Sequence, residues 1–319
     1  MLMIVLRRVP RLLFVVVAVT LLTFILLELT PGDPATLKAG LAGTPEVVEE
    51  LREELGLNDH LLVRYKDWAV DALQGDFGES VVYEDVSVSS RIRSALPKTL
   101  ETMILAELMA FAIAIPLAIR SAQKPGGWVD RWSSAGSFGL LALPSFVLGI
   151  YMIFIFGVKL DWFPTISSDL PGLFDDPAGN LRGYFLPSLT LALNLLAVYV
   201  RLLRTDLIET LQQDYVMLAQ ARGIGTRRIM WRHVLRPSSL NTLTAAGLNV
   251  GGLIGGAFII EVMFSYQGMG RILIEAVFGN DYFMVAGIVA ILSVGYVLVN
   301  FVVDILYSVL DPRIRTVDA

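Results

Sequence analysis

Residues 214–237 read DYVMLAQARGIGTRRIMWRHVLRP, a polar, Arg-rich stretch in a chain that is otherwise mostly lipid-soluble. Tyr215, Ala219 and Gly223 recur at i, i+4 and i+8, which predicts a small-residue strip down one helix face. Such a strip lets another surface come close. Ile224-Gly225 then reads as a turn, with Thr226 as the cap of a second helix. Arg228, Arg232 and Arg236 fall on one face of that helix at spacing four, and Ile229, Met230 and Val234 give it an apolar flank. Two readings fit the pattern. One is a docking surface for a protein partner; the other is an interfacial helix lying on anionic lipid headgroups.

The surrounding composition sets the class. The chain has 319 residues, 55% of them hydrophobic, and a mean hydropathy of +0.65, which is the profile of a polytopic membrane protein. With no Cys, disulfides and thiolate metal sites are excluded. His60 and His233 are the only histidines, too few for a His-rich metal site. No G-x-x-x-x-G-K-[ST] phosphate loop occurs, so any nucleotide chemistry is expected on a partner. Nothing in the composition points to nucleic acid.

Six apolar spans are expected. Their approximate limits are residues 9–29, 98–119, 134–158, 184–203, 240–264 and 283–310. The first span, with Arg7, Arg8 and Arg11 around its start, is too long for a signal-peptide core and is followed by the rigid turn Pro31-Gly32-Asp33-Pro34. Residues 31–97 form a polar insert. Thr44-Pro45-Glu46 starts one helix and Gly56 ends it; Leu61, Tyr65, Trp68 and Ala72 pattern a second, closed by Gly75. Pro116, Pro144 and Pro187 interrupt spans. Arg7, Arg8, Arg11, Arg120, Lys124, Arg131, seven Arg between 201 and 236, Arg313 and Arg315 all fall on one side of a six-span topology. That side holds fifteen of the 25 basic residues, so it and both termini are expected in the cytoplasm.

Several residues within the spans are candidates for function. Gly247, Gly251 and Gly255 recur at spacing four, with Gly252 and Gly256 overlapping them, a pattern for close helix packing or for lining a pathway. Acids in apolar spans are functional candidates by default. Glu107 is the deepest and is expected to face a wet cavity; Glu28 and Glu261 are expected near the outer interface; Glu101 and Asp304 also lie within or near the spans. The pathway set is therefore Glu107, Gly247, Gly251, Gly255 and Glu261.

The Arg-rich stretch resembles the cytoplasmic coupling segment of permease subunits of binding-protein-dependent ABC importers, in the dipeptide/oligopeptide/nickel group. Asp214, Tyr215, Ala219, Ala221, Gly223, His233, Leu235 and Arg236 carry the likeness, while Met217-Leu218-Ala219 stands where the wider superfamily has Glu-Ala-Ala. PGDP, Leu55-Gly56-Leu57-Asn58, GDFGES and the ending Asp311-Pro312-Arg313-Ile314-Arg315 extend it over almost the whole chain. The resemblance implies an all-α type I importer permease fold. Its parts are a first helix at 1–30, an extracytoplasmic scoop-like insert at 31–97, and a core at 98–319 with a coupling segment at 205–239. It further implies a prokaryotic inner-membrane protein, the first permease of a pair. Expected partners are a second permease, two ABC ATPase subunits carrying ATP and Mg2+, an external solute-binding protein and membrane lipid. No cofactor or catalysis is expected in this chain. The expected coupling residues are Asp214, Tyr215, Ala219, Ala221, Arg222, Gly223, Ile224, Arg228 and His233. Cargo is left open between dipeptide, longer peptide, nickel, glutathione and oligosaccharide. The rival class is a self-sufficient secondary transporter or channel, which predicts internal repeats and ion-binding acids in broken spans. No evident repeat is present. A membrane enzyme is a third, weaker alternative.

Overall fold

A computed structural model describes residues 2–310 apart from 31, 41, 42, 84 and 169, with backbone alone at 2–9, 11, 12, 304 and 306–310. The side chains of Arg7, Arg8, Arg11 and Asp304, the residue Pro31 and the 311–315 ending lie outside the described residues. Helices run in the order α1 (Leu2–Glu28), α2 (Pro34–Ala39), α3 (Pro45–Glu54), α4 (Leu61–Leu73) and α5 (Val88–Gln123). Next come α6 (Trp128–Ala142), α7 (Ser145–Met152), α8 (Pro177–Leu211) and α9 (Asp214–Ala221). The last are α10 (Thr226–Arg228), α11 (Leu235–Met263), α12 (Met269–Phe278) and α13 (Tyr282–Leu310). Wider π-type turns continue α7 over Ile153–Lys159 and join α10 to α11 over Ile229–Val234.

Among the described residues four helices are long and apolar enough to cross a bilayer: α5, α8, the continuous Thr226–Met263 and α13 over Tyr282–Val303. The third expected span is not one rod. It breaks between α6 and α7, where the pieces meet at a 106° bend, and taken together they make a fifth candidate span. Leu143-Pro144 lies at that break, with Leu143 extended because the residue before Pro is pushed out of helical backbone. Pro187 sits inside unbroken α8, and Pro116 is likewise within continuous α5. Leu13–Glu28 of α1 is a shorter apolar helix. The second span starts earlier than expected, since α5 begins at Val88 and runs through Pro97. Helix α12 was not anticipated.

Contacts divide the chain into two units, Met1–Thr99 with Gln267–Leu298, and Leu100–Tyr266 with Val299–Ala319. In the first, the cap chemistry read from sequence shapes the insert. The Thr44 hydroxyl accepts from Val47 N at 3.5 Å, with Pro45 at the first helical position of α3. Gly56 and Gly75 take positive φ (62° and 88°) just past α3 and α4. At each end the two following amides bond back to the last carbonyls, Leu57 to Arg52 and Asp76 to Asp71. Arg52 bonds Asp33 within the insert at 2.6 Å, and Arg64 ties the insert to Glu28 of α1 at 2.8 Å. Trp68 packs on Phe24 with ring centroids 4.9 Å apart. Val88 and Ile92 of α5 share an apolar core with Met269 and Ile272 of α12 and with Met284 and Ile288 of α13.

Asp281 fixes the start of α13. Its buried carboxylate accepts from the Ser80 hydroxyl, from Val81 N at 3.3 Å and from Met284 N at 3.2 Å. It is at once a helix N-cap and the anchor for the end of the insert.

In the second unit α8 is central: 61% of its apolar window is buried, against 33% in the other three long spans. Ala106, Ala110, Ala114 and Ala118 of α5 are all fully buried, a small-residue row that permits close helix approach.

Asp281→Ala strands a buried hydroxyl and two amides. It is expected to destabilise the protein by about 2 kcal/mol or more, with Asp281→Asn losing roughly half of that, because the amide oxygen still caps α13. Thermal unfolding of the two variants in detergent measures the difference.

Candidate functional site

The Arg-rich segment is two short helices laid on the ends of α5 and α8. Helix α9 begins at Asp214 and ends in Arg222. Gly223 follows at φ 73°, and Gly223 N and Ile224 N bond back to Gln220 O (2.9 Å) and Ala219 O (3.2 Å). That left-handed terminus is what the glycine supplies. It corrects the expected strip. Gly223 lies beyond the helix rather than on its face, and the other small residue, Ala219, is buried against the protein's own core. The second helix also differs. Its N-cap is Gly225, and Thr226 is its first residue and makes no side-chain cap.

The inner side of the segment is apolar. Val216 and Ala219 of α9, with Ile229, Met230 and Val234, pack on Ala118 and Ile119 of α5 and on Leu203 and Leu207 of α8. The expected apolar flank is thus a buried underside. The outer side carries Tyr215, Met217, Leu218 and Trp231, each close to half exposed, beside Asp214, Ala221, Arg222, Arg227, Arg228, Arg232 and Arg236. A shallow groove is lined by Gly225, Arg227, Arg228, Trp231 and Arg232. Ile224 and His233 are half-buried, and the His233 carbonyl accepts from the Tyr215 hydroxyl at 3.4 Å. Of the nine expected coupling residues, Asp214, Tyr215, Ala221, Arg222, Gly223 and Arg228 are exposed; Ala219 is not.

Two polar clamps hold this end of the unit, and sequence reading missed both. Ser238 Oγ reaches Val234 O (2.9 Å), Asp206 O (3.2 Å) and Thr210 Oγ1 (2.8 Å), tying the foot of α11 to α8. Asp130 at the start of α6 is buried and receives both Nε and Nη2 of Arg204, the latter at 2.9 Å, and Gly126 N at 2.7 Å. A two-pronged guanidinium–carboxylate contact fixes orientation as well as charge. The readable signal was an acid in the first turn of α6, where it also suits the helix dipole.

The intramembrane candidates separate. Glu107 is half-buried, and both its oxygens lie 3.0 Å from the Tyr199 hydroxyl, whose ring stacks on Phe111 at 4.8 Å. Glu261 is fully buried beside Tyr184 and Tyr266, so protein rather than water surrounds its carboxylate. Glu101 is half-buried and accepts from Asn180 Nδ2 at 3.4 Å. The glycines of α11 point in different directions. A side chain at Gly247 would strike Val303 at 2.7 Å, and one at Gly256 would press Leu191 at 3.1 Å. Gly251, Gly252 and Gly255 are exposed, with open space at 252 and 255. The row 247/251/255 is therefore not one packing seam. Among the described residues no group of three His, Cys, Asp or Glu could hold a metal ion.

Fold and surface together define a helical, multi-pass membrane protein with a structured polar segment between two of its long spans. Family models place it more closely. Residues 114–316 match the binding-protein-dependent transport system inner membrane component, and residues 1–100 match the N-terminal part of such membrane components. The chain belongs to this family of inner membrane transport components. It is 32% identical over 311 residues to an oligopeptide transport system permease protein of Bacillus subtilis (strain 168), covering 98% of both chains. A putative peptide transport system permease protein of Brucella abortus (strain 2308) is 36% identical over 315 residues, again with 98% of both covered. The glutathione transport system permease protein of Salmonella choleraesuis is 34% identical over 318 residues at the same coverage. The methionine ABC transporter MetNI, solved in inward-facing conformations, shares the fold with TM-score 0.55 and 16% identity, over 69% of this chain and 96% of that one.

Gly223→Ala is expected to cost about 1 kcal/mol locally, since alanine resists positive φ, and Gly223→Asn less. Hydrogen exchange of the 214–236 region should be several-fold faster in the alanine variant than in the asparagine variant.

Proposed function

We propose that this chain is the transmembrane permease subunit of an ATP-driven importer for peptides, delivered by an external solute-binding protein. Relatives matched end to end and named for oligopeptide, peptide and glutathione transport support the cargo class. In this reading six spans put both termini in the cytoplasm, α1 and the α6–α7 pair each counting as one. The core is residues 98–319, and residues 31–97 form the external insert. ATP and Mg2+ reside on two ATPase subunits, and a second permease completes the pathway.

The observation that carries the reading is the two-sided Arg-rich segment. Its underside is fixed to α5 and α8, while Tyr215, Met217, Leu218 and Trp231 stand out into the aqueous side among arginines. An exposed aromatic and aliphatic cluster with guanidinium neighbours is the composition of a protein-docking hot spot. Movement received there passes into α11, because the helix is continuous from Thr226 to Met263. Along α11 a second exposed face runs through Thr244, Leu248, Gly251, Gly255 and Ile259. Its spacing of three and four places it on one side of the helix, suited to the second permease and to the solute path between the two. Glu107 and Tyr199 supply the polar contact at membrane depth.

Leu218→Asp tests the reading. Leu218 is 53% exposed, so membrane insertion and thermal stability should stay as in the parent. Binding of the ATPase subunits should weaken at least about tenfold, with ATP-dependent peptide uptake falling in step. Uphill uptake by vesicles holding this polypeptide alone would overturn the assignment.

A further inference from the structure

Glu101 of α5 and Asn180 in the first turn of α8 meet in the second unit, at the end of α8 away from the Arg-rich segment. The orientation of the amide is fixed by its neighbours. Its Nδ2 donates to the Pro171 carbonyl at 2.9 Å and to Glu101 Oε2 at 3.4 Å. Exchanging the amide nitrogen and oxygen would set an oxygen against the Pro171 carbonyl. Asn180 is 1% exposed, and its Oδ1 receives no donor. Glu101 Oε1 is buried as well and receives none. Two acceptors are therefore left over on two side chains that already touch. A buried acceptor without a donor is costly, and such atoms call for an explanation. Glu107, the other half-buried acid of α5, is the contrast: it meets a donor, the Tyr199 hydroxyl, whereas Glu101 meets a second acceptor.

The missing donor must be small. Neither oxygen presents surface to solvent, so a water molecule, an ammonium group or a metal ion has no way to reach them. A proton needs no room. Placed on Oε1, it turns one orphan acceptor into a donor for the other, and a single hydrogen satisfies both. A carboxylic acid and a carboxamide pair side by side through two bonds, N–H to one oxygen and O–H to the other, and the contact between Nδ2 and Oε2 is half of that pair. The surroundings favour the same outcome. Glu101 lies on a helix long and apolar enough to cross a bilayer, where an unpaired carboxylate is expensive and a neutral acid is not. Tyr184, one turn further along α8, is within electrostatic reach of both Glu101 and Glu261, so a second carboxyl shares this corner. Two negative charges beside one buried tyrosine are costly. Lys98 stands one turn before Glu101 on α5 and is already engaged.

We propose that Glu101 is a proton-binding site, its carboxyl held neutral and joined to the Asn180 carboxamide by two hydrogen bonds, Oε1–H to Oδ1 and Nδ2–H to Oε2. The proton comes from bulk water and stays on the carboxyl. The pair fastens α5 to the start of α8 and, through Nδ2, to the Pro171 carbonyl in the loop before it, without placing a net charge in the span. Loss of the proton sets two acceptors side by side and opens the joint.

The test is infrared spectroscopy of the full chain in nanodiscs in neutral buffer, comparing the parent with Glu101→Gln, Glu101→Ala and Asn180→Leu. The parent is expected to show a protonated-carboxyl C=O band that disappears in Glu101→Gln, and Asn180→Leu should shift or abolish that band. A glutamine offers one donor and one acceptor in the same plane. Glu101→Gln should therefore unfold at the parent's thermal midpoint, whereas Glu101→Ala and Asn180→Leu should each unfold several degrees lower. A spectrum that Glu101→Gln leaves unchanged would overturn the proposal, as would a carboxyl band indifferent to Asn180→Leu. Glu101→Gln proving as damaging as Glu101→Ala would overturn it too, since that result means the site needs a negative charge. None of these readouts involves cargo, ATP or a partner subunit, so failure of the importer reading, seen as motor-independent uptake, is separable from failure of this site.

Discussion

Everything at the polar end of this molecule depends on an apolar contact beneath a charged surface. Val216, Val234, Met230 and Ile229 are at most 2% exposed, although the segment that carries them reads as hydrophilic. Burying side chains of this size is worth about 1.5–3 kcal/mol each. Helix α9, too short to be stable alone, and the first turns of the continuous Thr226–Met263 helix are thereby held at fixed angles to α5 and α8. A lever that transmits motion must be stiff where it joins the load. Ser238, with three oxygen partners on α8 and on its own helix, stiffens the same joint with polar contacts.

Charges near and within the bilayer follow a second constraint, that an ion leaving water needs a partner at hand. Asp130 has Arg204, and Glu107 has the Tyr199 hydroxyl. These contacts are not arguments for high stability, since removing two ions from water costs several kcal/mol that their attraction only partly returns. Their value lies in direction. Asp130 joins the start of α6 to α8 in one register, and Tyr199, itself buried and stacked on Phe111, presents one hydroxyl to one carboxylate.

Local backbone chemistry was legible in the insert but not in the Arg-rich segment, where Thr226 makes no cap and Gly223 ends α9 instead of lying on its face. Thr44, Gly56 and Gly75 mark helix ends because capping and left-handed turns are decided within a few residues. Four of the six expected spans were legible as long apolar helices because hydropathy is a sum. What sequence could not settle was which face of a helix meets the chain's own core. Tyr215, Ala219 and Gly223 share a spacing, yet one is exposed, one is buried and one is past the helix end. Spacing gives phase but not direction. Asp130 and Asp281 were missed for a related reason, since their partners are 74 and more than 190 residues away. The break at Pro144 was written in the sequence, but Pro187 is equally written and does not break α8. Proline permits a bend, and the packing around it decides whether one forms.

The glycines of α11 bring these constraints together. Gly247 faces Val303, where a side chain would collide, and Gly256 faces the tip of Leu191, where one would press, whereas Gly252 and Gly255 face open space. A helix that only packed would need small residues on one side, and one that only lined a channel would need none against its neighbours. Glycines on both sides leave few α11 side chains at its approaches to Leu191 of α8 and to Val303, while Gly252 and Gly255 have open space beside them. The same helix runs without interruption into the π-type turn and the segment welded to α5 and α8. In the proposed reading, a displacement at Trp231 has a continuous helical path into α11, and that continuity is the physical reason for setting the proposed docking surface and the glycine-rich helix next to each other in the chain.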